Sequence, residues 1–165
     1  MSVFEWFPIA IYETRLSPPK KVKRDMLRFM ENYENEIYSQ EEYKDKKNIT
    51  GDVTGNGDIA NKKEFSWLVN QVSDETRKYL TELNVDMDII DLFVQKSWPV
   101  ICSSDEGYIT SHMHLNSHLS VVYYIQKDCS DDNQTGALRF WVPNNHPICQ
   151  LPVKYKDGKR NKLSA

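Results

Sequence analysis

Residues 112–124 read His112-Met113-His114-Leu115-Asn116-Ser117-His118-Leu119-Ser120-Val121-Val122-Tyr123-Tyr124, and how this stretch is read decides the fold. All four histidines of the chain lie between positions 112 and 146, and three of them fall in the first seven positions of this stretch. The residues from Leu119 on are β-branched and aromatic, which suits a strand. On a strand, side chains two apart point to the same face. His112 and His114 are therefore expected side by side, about 6–7 Å apart at their Cα atoms. Imidazole nitrogens bind a metal ion at about 2.0–2.1 Å, and imidazole suits iron, zinc, copper or nickel. Two such rings on one face can converge on one ion. The plainer reading of the same spacing is a pair of half-exposed strand histidines. If the register runs unbroken to residue 126, Tyr124 shares the histidines' face and Tyr123 faces the packed side. A bulge at residues 115–117 would reverse that assignment.

Working outward, a Gly-containing turn at 103–107 precedes the histidines and an apolar stretch at 89–101 precedes the turn. Residues 89–101, 108–114, 119–126, 137–142 and 148–155 read as strands separated by turn-formers. The N-terminal half has another texture. Val22, Met26, Phe29, Met30, Tyr33 and Ile37 recur at helical spacing after Pro18-Pro19, so a helix is expected over about residues 20–44. Phe65, Leu68, Val69, Val72, Tyr79, Leu80 and Leu83 form a second helical stripe, with a possible break at Ser73-Asp74. Its first four residues, Phe65, Leu68, Val69 and Val72, are expected to pack on the sheet of the later strands. Between the helices, residues 45–62 read as a solvated polar loop. Its Asp52, Asn56 and Asp58 lack the ligand order and terminal glutamate of an EF-hand. One domain is expected, with an N-terminal strand and helices in 1–84 and a β-core in 85–165, an α+β arrangement.

Composition narrows the function classes. The 165 residues carry 21 basic and 24 acidic side chains, for a formal net charge of −3. A mildly acidic chain lacks the positive field that nucleic-acid binding relies on. No apolar run approaches the roughly 18 residues of a membrane span. The first residues have no basic leader and carry Glu5 within their apolar run, so a cytoplasmic protein with no membrane partner is expected. The three cysteines, Cys102, Cys129 and Cys149, are widely spaced and contain no C-x-x-C pair, which fits reduced thiols better than a zinc or redox motif.

Three blocks then stand in a characteristic order: Phe7-Pro8-Ile9-Ala10-Ile11-Tyr12, then Lys96-Ser97-Trp98-Pro99-Val100, then residues 112–124 followed by Gly136-Ala137-Leu138-Arg139-Phe140 and Pro143. Together they resemble a family of iron(II)/2-oxoglutarate-dependent oxygenases of marine bacteria and their phages. Its pattern is H-x-H-P-N-S, then S-G-V-Y-Y, then G-x-L-x-F and a proline. The resemblance implies a double-stranded β-helix (a cupin-like jelly roll) with the N-terminal helices packed on one sheet. It also implies a mononuclear Fe(II) site and 2-oxoglutarate as co-substrate, used with dioxygen to hydroxylate a small molecule or a protein side chain. On this resemblance His112 and His114 are metal ligands, and Tyr124 and Asn116 orient the co-substrate; Arg139 pairs with a carboxylate or, alternating with Leu138 and Phe140, lies on a solvated strand face. Leu115 stands where the family often has Pro, and Val121 where it often has Gly. His114 occupies the position of the usual carboxylate ligand. The family's distal histidine and the basic residue after it have no match before Ala165, and His146 lies too close to Gly136 to serve. The expectation is thus a jelly roll lacking its last strands.

Two other readings share these residues. Gly107, His112, His114 and His118 follow the order of a cupin-like three-histidine metal protein that does not use 2-oxoglutarate. A non-catalytic phage or binding β-domain would keep the fold without the site.

Overall fold

The computed structural model describes residues 10–46, 48–51, 58–102, 108–110, 112, 114, 117–127 and 138. Among these residues the regular structure is two helices, α1 (Lys20–Tyr38) and α2 (Ser66–Glu82), one antiparallel ladder of β1 (Asn48–Ile49) with β2 (Ile101–Cys102), and short 3-10 turns at Ile59–Asn61 and Lys63–Phe65. No helix among the described residues is long and apolar enough to cross a membrane.

Helix α1 starts after the extended Pro19, whose carbonyl accepts the first helical hydrogen bond, from Lys23 N–H at 3.0 Å. Its end charges run against its dipole. Lys20, Lys21, Lys23 and Arg24 crowd the N-terminus, and no acid stands in the first turn or base in the last. A helix macrodipole disfavours that arrangement, so α1 depends on what its apolar face buries. Met26, Tyr33 and Ile37 are its buried residues. The helix stops at Tyr38, short of the expected 44, because the chain turns into successive i to i+3 bonds. Gln40 N–H bonds Ile37 O, Tyr43 N–H bonds Gln40 O, and the Ser39 hydroxyl bonds Glu36 O at 2.7 Å.

Ile49 is the residue that the polar reading of 45–62 passes over. It is 1% exposed, in β1, and packs with Tyr33 and Ile37 while Phe29, Tyr38, Tyr43 and Ile101 close around them. Helix α1 therefore covers the ladder, through Ile37 and Ile49. The start of the second helix docks on α1 instead: Phe65, 1% exposed, meets the Phe29 ring edge-to-face at 5.1 Å. Leu68, Val69 and Val72, the stripe expected on the sheet, are only half-buried. The helix also runs through Ser73-Asp74 without a break. Serine and aspartate inside a helix cost only a few tenths of a kcal/mol each, too little to interrupt one. Its C-terminus is a Schellman motif. Asn84 takes φ +59°, its N–H bonds Thr81 O at 2.9 Å, and Val85 N–H bonds Leu80 O at 3.0 Å.

Beyond Asn84, strand structure is confined, among the described residues, to Ile101–Cys102. Residues 89–100 and 119–126, expected as strands, form no ladder there. Asp88 N–H bonds the Asp86 carboxylate at 3.0 Å, an Asx-type turn just ahead of residue 89.

The segment before α1 is strapped to α2. Tyr12 OH donates to Glu75 Oε2 at 2.6 Å, Lys78 Nζ donates to Glu75 Oε1 at 2.6 Å, and Tyr79 OH donates to Ala10 O at 3.0 Å. The Lys78 ammonium, and after it the Tyr12 hydroxyl, hold the Glu75 carboxyl below the usual carboxylate range. The bond to Glu75 in turn pushes the Tyr12 phenol up.

Two outcomes are expected. Ile37→Ala should lower the unfolding free energy by about 2–5 kcal/mol, read from urea melts, and Leu68→Ala should cost less. The strap should respond to pH at both ends. Glu75's contribution is complete above the unfolded carboxyl's pKa and is lost as pH falls through its lowered value. Tyr12's contribution is present below the ordinary phenol value and is lost as pH rises through its raised one. The nuclear Overhauser contact between the Tyr12 and Tyr79 rings, 5.6 Å apart, should weaken at both extremes, and Glu75→Gln should flatten the acid arm.

Candidate metal centre

The site is built from the turn before α2 outward. Asp58 Oδ1 accepts the Ser97 hydroxyl at 2.9 Å, Ala60 N–H donates to Ser97 Oγ at 2.8 Å, and Ile59 N–H donates to Ser97 O at 3.2 Å. The Asp58 side chain, which also accepts from Asn61, is thus occupied in holding Ser97. Pro99 is buried on the other side of Trp98. Trp98 is consequently held from both neighbours.

Trp98 faces His114, with ring centroids 5.5 Å apart and planes at 42°. Three residues back along one segment and three on along the other, Ser117 OH reaches Gln95 Oε1 at 3.4 Å. That pairing order is antiparallel, so the segments around Trp98 and around His114 run in opposite directions. Asn48 Nδ2, next to β2, donates to Tyr108 O at 2.5 Å and ties the returning segment to β1.

The imidazoles of His112 and His114 lie edge-to-face, centroids 4.9 Å apart and planes at 82°. His112 Nδ1 lies 2.8 Å from Thr110 O. A carbonyl oxygen can only accept, so Nδ1 carries the proton. In the neutral ring this leaves the Nε2 lone pair available as a ligand. A backbone carbonyl that fixes the far nitrogen is the usual support of a metal-binding histidine. The donor set therefore suits a borderline transition metal such as iron. Among the described residues, no group of three or more His, Cys, Asp or Glu side chains gathers around the pair. His118 is exposed.

Ser117 N–H bonds His114 O at 3.2 Å, an i to i+3 contact between the histidines and the tyrosines. Alternation counted along an unbroken strand therefore does not carry from His114 to Tyr124. Tyr123 is half-buried and Tyr124 is 47% exposed. Partial burial raises the Tyr124 phenol above the usual tyrosine range, with Lys127 opposing and Cys102 adding to the shift. Cys102 is exposed and unbridged, and burial of part of it raises its thiol. Asn116, Arg139, His146, Cys129 and Cys149 lie outside the described residues.

Sequence reasoning missed Trp98 and the Thr110 carbonyl. Trp98 stood in the Lys96–Val100 block, but nothing local links it to a histidine sixteen positions on. The carbonyl has no sequence signal at all. Compared with protein-family models, curated proteins and solved structures, the chain finds no match.

Long-range 1H–15N spectra of the metal-free protein should show neutral His112 as the Nδ1–H tautomer. An Nε2–H tautomer for His112 would remove the carbonyl contact from the site.

Proposed function

We propose that this protein is a non-haem iron(II)- and 2-oxoglutarate-dependent dioxygenase with His112 and His114 as iron ligands. The observation that carries the reading is the histidine pair: two imidazoles 4.9 Å apart, one with its Nδ1 proton committed to a carbonyl. The order of the three sequence blocks supports the choice of iron and 2-oxoglutarate over other metal chemistry. When bound, iron supplies oxidative decarboxylation: 2-oxoglutarate and dioxygen give succinate and carbon dioxide as a C–H bond of the substrate becomes C–OH.

The chain's own residues have three tasks. His112 and His114 hold the metal through neutral nitrogens. Tyr124, a phenol that is protonated at neutral pH, donates a hydrogen bond to a co-substrate carboxylate. Asn116 and Arg139 complete the grip on 2-oxoglutarate in this reading. The substrate is a small molecule or a protein side chain.

Succinate release under aerobic conditions with Fe(II), ascorbate and 2-oxoglutarate tests the activity. Anaerobic Fe(II) titration tests the site. His112→Ala and His114→Ala should each abolish Fe(II) binding, whereas His118→Ala should leave it within about threefold of the parent. Equal loss on removing His118 would replace this reading with the three-histidine cupin-like site.

A further inference from the structure

We infer that Trp98 is a positioning residue of the metal centre: its indole face sets the orientation of the His114 imidazole beside that of His112. The inference rests on the assignment of these two histidines as metal ligands. It goes beyond that assignment by naming what holds the second one.

The two histidines are held by different means. His112 is oriented by a hydrogen bond to Thr110 O, which constrains its ring through a polar atom. Among the described residues the ring neighbours of His114 are His112 at 4.9 Å and Trp98 at 5.5 Å. An imidazole on an exposed segment otherwise turns freely about its two side-chain torsions. His114 is such a residue. A large flat ring against one face removes most of those orientations, and aromatic pairs favour offset or tilted contacts with centroids within about 4.5–7 Å. The 42° tilt and 5.5 Å separation fall in that range.

A support must itself be fixed, and Trp98 is. Its N-terminal neighbour Ser97 makes three hydrogen bonds to Asp58, Ile59 and Ala60. Its C-terminal neighbour Pro99 is buried, and β2 begins two residues further on. The indole is half-buried. The stiffness of the turn before α2 thus passes through Ser97 to Trp98 and through the ring contact to His114. A ligand oriented in advance loses less freedom on binding the ion, which is how supporting groups raise metal affinity.

The test uses Co(II), whose visible absorption reports its ligands, on the full chain and on Trp98→Leu and Trp98→Phe. Trp98→Leu keeps apolar bulk without an aromatic face, and Trp98→Phe keeps the face. Far-UV circular dichroism checks that each variant is folded. Trp98→Leu should weaken Co(II) binding by about 10-fold or more and alter the Co(II) absorption envelope. Trp98→Phe should restore both to within about threefold of the parent. Nuclear Overhauser contacts between the Trp98 indole and the His114 ring in the parent protein give a measurement that needs no variant. Parent protein that binds Co(II) with Trp98→Leu binding it equally well would overturn the inference and leave the metal site standing. Absence of the indole–imidazole contact in the parent would do the same. Parent protein that binds no Co(II) would overturn the metal assignment, and the inference with it.

Discussion

Ile49 against Ile37 is the contact from which the described structure is built. Helix α1 carries cations at its N-terminus, with no acid in its first turn and no base in its last, so dipole interactions cannot hold it. Ile37 and Ile49 are 0% and 1% exposed, and their contact joins α1 to β1. The ladder of β1 with β2 brings Ile101 to the same cluster. Through that one apolar contact a helix near the N-terminus fixes a segment some fifty residues downstream of the loop that holds β1. Phe29, one turn before Tyr33 on α1, extends the same face to Phe65 and so seats the start of α2.

The candidate metal centre is joined to this arrangement through Ser97 and through Asn48. Ser97 is held by long-range polar bonds, His112 contacts the Thr110 carbonyl, and His114 contacts the Trp98 ring. Asp58 and the turn before α2 hold Ser97, Ser97 precedes Trp98, and Trp98 faces His114. The turn before α2 thereby supports the segment that faces His114. In the proposed reading each ligand keeps one nitrogen uncommitted, so what orients it has to act on the far nitrogen, as proposed for Thr110 O at His112, or on the ring, as proposed for Trp98 at His114.

Much of the later chain's apolar character is directed outward among the described residues. Ile89 and Phe93 are 80% and 82% exposed, and Val121 and Val122 are 59% and 57% exposed. These are the residues on which the strand expectations for 89–101 and 119–126 were based. β-branched and aromatic content expresses fitness for a pleated, half-buried surface. A strand needs a neighbour to bond, and composition does not provide one.

What the sequence by itself determined was local. The 3.6-residue recurrence of Met26, Phe29, Tyr33 and Ile37 located α1, the second stripe located α2, and Pro19 and Asn84 marked where one began and the other ended. The clustering of His112 and His114 was also plain, because a spacing of two needs no tertiary information. The tertiary structure decided everything that joins distant positions. It chose α1 to cover the ladder, since Ile37 had a buried partner in Ile49 whereas Leu68 remained half-buried. It interrupted the alternation from His114 to Tyr124 with a single backbone bond from Ser117. It brought Trp98 to His114 by running their segments in opposite directions. Helical and strand periodicities record only which side chains share a face. Which faces meet depends on burial summed over segments far apart in the chain, and that sum is formed only when the chain folds.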